Sequence, residues 1–396
     1  MAKIGIFGGS FNPPHLGHIL AVREFREKLA LDRVVLIPAS VPPHKRLTEN
    51  SPTPLQRLEM TKLAVGALPY AEVLDLELTR QGASYTADTV ELLRQRYPSD
   101  ELYLLMGTDM FLSFDRWYCP ERIAREVTLA VAHRSEDDAA ELNACAQRLT
   151  EQLGARIAWV QNDYLPYSST SVRAMLAFGA AKPYLASEVL DYILKNRLYH
   201  TGELLHDLPF EKLREISLSL HRPQRVAHVR GCSETAERLA RLYGANPDAA
   251  RRAGILHDIT KALTPAEQLQ LCENYGMILN RFERENPKLL HAKTGAEVAR
   301  RVFGESDEVY QAVFWHTTGK ADMTTLEKIV YLADYMEPNR DFEGVQELRR
   351  LADTDLDKGV LLGLEMSMEQ LLARGREIDP NSLAALRFLK ERKSMP

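Results

Sequence analysis

Two sets of side chains able to work on phosphates lie about two hundred residues apart on one chain. The first is the string Gly8-Gly9-Ser10-Phe11-Asn12-Pro13-Pro14-His15-Leu16-Gly17-His18. Glycines let a backbone approach an anion closely. Free amides at a helix start, together with the helix dipole, favour negative charge there. His15 and His18 are three residues apart, so they share one face of a first helical turn. Two imidazoles so placed can donate hydrogen bonds to a triphosphate and stabilise charge that develops during phosphoryl transfer. The second set is His257-Asp258, with His228 placed 29 residues before His257 and with His291, His316 and Asp334 placed 33, 58 and 76 residues after Asp258. Imidazole and carboxylate together suit iron, manganese, zinc or nickel. A bridging carboxylate permits the two-metal arrangement that hydrolyses phosphate esters and anhydrides. Adjacent residues on a helix diverge by about 100°, so His257 and Asp258 meet only through local distortion or by flanking the site. Asp258 is the bridging candidate. The chain also holds a control doublet, His206-Asp207, which no further ligand set follows.

The elements that must position these groups follow from apolar runs and their punctuation. Residues 3–7 form a short apolar strand that runs into Gly8-Gly9. Strands are also expected over 33–37, 72–76, 102–106, 127–132 and 157–160. Helices are expected between them over 16–29, 55–68, 86–97 and 137–153, with Pro54 in the first turn of the second. Gly107-Thr108-Asp109 turns the fourth strand into a helix. The alternation predicts a parallel sheet with helices on both faces. From about Ser168 the strands stop, and helices over 171–178 and 188–196 close this domain. Residues 200–208 lack periodicity and are expected to be a linker. Residues 209–396 suit an all-α bundle, with helices over 234–243, 248–256, 295–302, 326–335, 360–372 and 383–389.

Composition bounds the function classes. A chain of 396 residues fits two domains. Its net charge of −5 argues against a nucleic-acid partner, which normally meets a basic excess, but not against nucleotides. Cys119, Cys145, Cys232 and Cys272 show no CxxC spacing and are expected to be reduced thiols of a cytoplasmic protein. The apolar start is far too short for a signal peptide. No segment approaches the ~20 apolar residues of a membrane helix. A homo-oligomer is compatible with the sequence, which fixes no oligomeric state.

The first string resembles the GG[ST]F[DN]PxHxGH signature of the nucleotidyltransferase superfamily. Further strings narrow this to the bacterial nicotinate-mononucleotide adenylyltransferases: Pro42-Pro43-His44-Lys45, Arg57-Leu58-Glu59-Met60, Ser84-Tyr85-Thr86 with Asp88-Thr89, Gly107-Thr108-Asp109-Met110, Trp117-Tyr118, and Ser168-Ser169-Thr170-Ser171-Val172-Arg173. They occur in order over about residues 1–199. The resemblance implies an α/β Rossmann-like domain that joins ATP, carried with Mg²⁺, to nicotinate mononucleotide, giving deamido-NAD and pyrophosphate. It implies that Gly8, Gly9, Ser10 and Phe11 cradle phosphate, and that His15 and His18 contact the ATP phosphates, with His18 stabilising the transition state. Arg173, beside Ser169, would clamp the leaving pyrophosphate, and Lys45 would neutralise phosphate charge. Gly107 and Asp109 would hold the adenosine. Trp117 would stack on the pyridine ring, whose carboxylate the amides near Thr86 and Tyr118 would hold, in the segment begun by Ser84 and Tyr85. Arg134, at a strand end, is a candidate nucleotide contact. Such a reaction needs no covalent intermediate. The mononucleotide phosphate is already an anion, and in-line attack is mostly positioning and charge stabilisation.

The second set resembles the HD phosphohydrolase superfamily. More narrowly, it is similar to the bacterial HD family that cleaves diadenosine tetraphosphate symmetrically into two ADP. The matching strings are Arg225-Val226-Ala227-His228-Val229, Leu256-His257-Asp258-Ile259-Thr260-Lys261, Leu290-His291, His316-Thr317-Thr318-Gly319 and Ala333-Asp334-Tyr335-Met336-Glu337-Pro338-Asn339-Arg340. That resemblance implies that His228, His257, Asp258 and Asp334 ligate one iron and that Asp258, His291 and His316 help hold a second. Manganese or another divalent ion remains an alternative. Lys261 and Arg340 would face substrate phosphates. The whole then reads as a bifunctional nucleotide enzyme using ATP, nicotinate mononucleotide and diadenosine tetraphosphate. Two alternatives stay open: the first half adenylylates another phosphate such as phosphopantetheine, or the second half senses nucleotides without turnover.

Overall fold

Val34, Val35, Leu36 and Ile37 are each at most 1% exposed. Such a continuous apolar run belongs to a strand covered on both faces. It lies in Arg33–Pro38 (β2), which joins Lys3–Gly9 (β1), Ala71–Val73 (β3), Glu101–Gly107 (β4), Thr128–His133 (β5) and Arg156–Gln161 (β6). Together they form one six-stranded sheet in the order β3-β2-β1-β4-β5-β6, and every pairing is parallel. The computed structural model describes residues 1–41, 51–80, 82, 84–134, 138–162 and 167–393.

The strand order reverses between β1 and β4, and a ligand crevice forms beyond the carboxyl ends at such a switch point. The register Ile4↔Leu102 and Ile6↔Leu104 keeps these two strands level. The chain leaves β1 through the Ser10–His15 segment and leaves β4 through Gly107-Thr108, so both expected nucleotide segments start at the switch point. Helix Leu16–Leu29 begins at His15 as its N-cap. Helix Pro54–Val65 begins with a capping box, in which the Thr53 hydroxyl accepts from the Gln56 amide. Helix Ser169–Ala177 starts the same way, with the Ser168 hydroxyl accepting from the Ser171 amide. The expected strand over 72–76 is only Ala71–Val73, and the helix expected over 55–68 ends at Val65.

The chain separates into two units, Met1–Gly202 and Glu203–Pro396. The described residues of the second unit contain helices and no strand. Helix Pro223–Tyr243 starts eleven residues before the expected 234, because the polar Gln224, Arg225, His228 and Arg230 hide its periodicity. Helices Phe210–Leu220, Pro265–Asn274, Asp307–Trp315 and Val345–Thr354 were not individually expected. Among the described residues no helix is long and apolar enough to cross a membrane. All four cysteines are free.

Candidate functional sites

At the switch point, a Cβ built on Gly8 would meet nothing within 4 Å, so open space lies beside the end of β1. Phe11 is buried and has φ +42°. The His15 and His18 ring centroids are 3.8 Å apart. The His15 backbone N–H donates to His18 Nδ1 at 3.1 Å. His18 therefore accepts at Nδ1 and keeps its proton on Nε2. Burial, then the neighbouring His18, holds the His15 imidazole well below its usual pKa. Arg173 reaches the same loop, donating to Asn12 O at 2.7 Å and to Ser169 O at 3.2 Å. The Ser169 hydroxyl donates to Pro13 O at 3.1 Å.

The other expected contacts are placed as follows. Gly107 caps the short helix Thr108–Leu112, and Asp109 is exposed in its first turn. Trp117 packs against Phe114, with centroids 5.3 Å apart. Tyr85 and Tyr118 pair at 4.4 Å beside the start of helix Thr86–Arg96. The Ser84 hydroxyl accepts from the Ser40 and Val41 amides at 3.0 and 3.3 Å, so it fastens the chain leaving β2. Arg134 directly follows β5. Lys45, with the rest of Pro42-Pro43-His44-Lys45, lies outside the described residues. Sequence reasoning gave Arg57 no role, yet it is fully buried and donates to Ser10 O and Ser40 O. The available signal was its position on the core face of helix Pro54–Val65, four residues before the buried Thr61.

In the second unit, all six expected ligands converge. A Cβ on Gly254 would come within 2.6 Å of Ser233 Cα. A glycine there lets helices Pro223–Tyr243 and Pro247–Leu256 approach closely enough for His228 Nε2 and His257 Nε2 to lie 3.3 Å apart. His257 and Asp258 both reach the site because the helix ends at Leu256. Tight turns follow, with the Ile259 amide on Leu256 O and the Lys261 amide on Asp258 O. His291 Nε2 is 3.2 Å from both His316 Nε2 and Asp258 Oδ1. Asp334 Oδ1 is 3.1 Å from His228 Nε2. Among the described residues two groups are close enough to hold a metal ion: His228, His257 and Asp334, and His257, Asp258 and His316. His257 thus belongs to both, and His291 adjoins the second.

The chemistry of this donor set fits divalent metal. His257, His291 and His316 place Nδ1 2.6–2.7 Å from the carbonyls of Gly254, Lys288 and Val313. His228 places Nδ1 3.1 Å from Glu337 Oε1. Carbonyl partners fix the proton on Nδ1 and turn the Nε2 lone pairs inward, as metal-ligating histidines require. Burial, then the Lys261 ammonium, lowers His291 to about 4, and burial also lowers His316. Two neutral imidazoles then face each other through lone pairs, an arrangement that a cation relieves. Burial opposes ionisation of Asp258, but the neighbouring His257 outweighs it and holds the carboxyl well below its usual range. Its Oδ1 is buried without a hydrogen-bond partner.

Cations ring the cluster. Lys261 Nζ is 2.9 Å from His291 Nε2. Arg340 donates to Asp334 Oδ1 at 2.7 Å. Arg225, to which sequence reasoning gave no role, donates to Asp258 Oδ2. Glu337 was likewise missed. It is buried, backs His228, and accepts from the Asn339 amide. A Cβ on Gly231 would overlap Glu337 Oε2. His206 joins none of this: its Nε2 lies 3.0 Å from Arg301 O.

Residues 6–175 match the cytidylyltransferase-like family and residues 225–339 match the HD domain. The chain is 36% identical over 216 residues to the probable nicotinate-nucleotide adenylyltransferase of Geobacter sulfurreducens, covering 50% of this chain and 100% of that protein. It is 38% identical over 203 residues to the protein of the same description from Dictyoglomus thermophilum, covering 50% and 99%. A Clostridium acetobutylicum crystal structure, described as a predicted HD superfamily hydrolase involved in NAD metabolism, is 35% identical, with a TM-score of 0.46; the match covers 47% of this chain and 98% of that one. Fold and sites thus define a nucleotidyltransferase-type α/β unit followed by an HD domain. Through its first half the chain belongs to the nicotinate-nucleotide adenylyltransferase family.

Proposed function

We propose that the chain is bifunctional, with an adenylyltransferase domain over 1–199, a linker over 200–208 and a metal-dependent hydrolase domain over 209–396. The first domain joins ATP and nicotinate mononucleotide into deamido-NAD and pyrophosphate. The observation that carries this is identity of 36–38% over essentially the full length of relatives with that description, with the signature loop at the switch point. The mononucleotide phosphate attacks the ATP α-phosphorus in line, and pyrophosphate leaves. The glycine turn, His15 and His18 bind and orient the triphosphate. Gly107, Asp109 and Arg134 hold the adenosine side, and Lys45 and Arg173 offset charge on the phosphates. The segments Ser84-Tyr85-Thr86 and Trp117-Tyr118 bind the pyridine ring and its carboxylate.

The second domain hydrolyses diadenosine tetraphosphate, with water, to two ADP. The converging imidazoles and carboxylates carry this proposal, and His228, His257, Asp258, His291, His316 and Asp334 would hold two irons or similar divalent ions. Metal in such a site supplies Lewis-acid charge and lowers the pKa of water. Lys261 and Arg340 offset the charge of the polyphosphate at the rim. The deciding experiment offers the purified chain a panel of mononucleotides and dinucleoside polyphosphates, with metal analysis of the same sample. Absence of transfer to nicotinate mononucleotide rejects the first assignment. Metal without hydrolysis leaves a nucleotide-sensing module.

Substrate choice gives a sharper expectation. A carboxylate accepts from two backbone amides, whereas a carboxamide must turn a donor toward one of them. One such mismatch costs roughly ten- to a hundredfold. Nicotinate mononucleotide therefore outperforms nicotinamide mononucleotide by about that factor in kcat/KM, and steady-state kinetics with both substrates check it. Equal efficiency rejects the assignment of the amides near Thr86 and Tyr118.

A further inference from the structure

Side chains from elsewhere in the first unit hold one edge of the signature loop. Arg57 Nη1 donates to Ser10 O at 2.8 Å, and its Nη2 donates to Ser40 O at 3.0 Å. Arg173 holds Asn12 O. The Tyr199 hydroxyl donates to Asn12 Oδ1 at 2.7 Å, and Asn12 Nδ2 donates to the Ser51 hydroxyl at 3.1 Å. Between the arginine-bound carbonyls of Ser10 and Asn12 stands Phe11, whose φ of +42° is rarely adopted by a bulky side chain. Such a conformation persists only where the surroundings over-determine it.

The arginine is also expensive where it sits. Arg57 is 0% exposed, and burial lowers its pKa. A buried guanidinium is tolerated when hydrogen-bonded, but an apolar residue would serve packing alone better. Tyr199 is also buried, three residues before the end of its unit. It has φ +56° between Arg197 at +50° and His200 at +65°, except for the intervening Leu198. This second strained segment delivers its ring to the loop.

We infer that Arg57 and Tyr199 are positioning residues for adenylyl transfer, which set the direction of the phosphate-binding amides. A peptide group is planar. With Ser10 O drawn onto Arg57, the Phe11 N–H points the opposite way. Pro13 and Pro14 have no N–H to offer, so the amides of this turn that can meet an anion come from the residues before them. Their aim depends on the Ser10 carbonyl that Arg57 fixes and on the Asn12 side chain that Tyr199 fixes. Neither residue need touch substrate. The inference rests on the proposed adenylyl transfer.

Arg57→Met, Arg57→Lys and Tyr199→Phe test it in the full chain. Misplacement of catalytic groups by about 1 Å costs on the order of a hundredfold, and loss of one neutral hydrogen bond about tenfold at most. Arg57→Met therefore lowers kcat per folded molecule by about a hundredfold and Tyr199→Phe by about five- to tenfold. KM for nicotinate mononucleotide stays within about twofold, since its pyridine contacts are elsewhere. Arg57→Lys restores charge without the planar fork and recovers only part of the rate. A purely structural role would lower the melting temperature and folded fraction while kcat per folded molecule held, which overturns the inference. If Arg57→Met does not fold, Tyr199→Phe decides alone. If the wild type does not use nicotinate mononucleotide, the functional proposal fails, and affinity for a non-hydrolysable ATP analogue becomes the readout. Weakening in the variants then supports positioning; equal affinity, or no binding by the wild type, overturns it.

Discussion

His18→Ala lowers adenylyl transfer by about a hundredfold or more, the usual cost of removing one preorganised donor to developing charge. His18 Nδ1 is engaged by the His15 amide at 3.1 Å, which leaves the proton on Nε2. The Phe11 ring stands edge-on at 5.2 Å and constrains the imidazole plane. The donor is therefore oriented before substrate arrives, and its removal raises the barrier without a compensating relaxation. His15 differs: it is buried and caps the helix, and burial keeps it neutral. Hydrolysis by the other unit is unchanged in His18→Ala, because the metal-ligand candidates all lie beyond residue 202. The measurement is transfer and hydrolysis on one protein sample. Transfer within a few-fold of wild type removes His18 from the catalytic machinery.

The route from sequence to this site was short because apolar runs and glycine turns encode it locally. Strands β1 and β4 end at Gly9 and Gly107, within three residues of the expected ends, and the switch point follows from their order. Four kinds of information were hidden. Side chains that act through others carry no chemical mark. Arg57 and Arg225 look like ordinary helix charges, and Glu337 looks like a helix-end carboxylate, until their partners are in place. A hydroxyl also has more than one use: beyond its place in the Ser84-Tyr85-Thr86 segment, the Ser84 oxygen accepts two backbone amides and fastens the chain leaving β2. Finally, the meeting of His257 with Asp258 depends on a helix end at Leu256 that no glycine or proline announces. The ligand helices were also under-read, because a metal-facing helix puts polar residues where a core helix puts apolar ones. His228 and Arg225 broke the pattern of Pro223–Tyr243 for that reason.

Asp258→Ala abolishes hydrolysis of diadenosine tetraphosphate and releases metal, while adenylyl transfer persists. The carboxylate is wholly buried. Its Oδ1 lies 3.2 Å from His291 Nε2 and 3.7 Å from His316 Nε2, and its Oδ2 lies 3.4 Å from His257 Nε2 and 3.8 Å from His228 Nε2. It stands between the two halves of the ligand set, where a carboxylate shared by two cations would lie. Without it, Asp334 is the remaining carboxylate among the six ligands, and two divalent ions a few ångströms apart would repel strongly in a largely buried site. The loss also leaves Arg225 and Lys261 facing the imidazoles without their counter-ion, which further disfavours a cation there. At least one metal ion per chain is lost, because affinity in such sites follows the deprotonated ligands present. Retained adenylyl transfer shows that the first unit remains folded, and far-ultraviolet circular dichroism checks the helices of the second. His206→Ala changes neither metal content nor turnover, since its ring lies against Arg301 O and outside both metal-holding groups. Full metal occupancy in Asp258→Ala, or metal loss in His206→Ala, assigns the centre to the wrong histidine-aspartate pair.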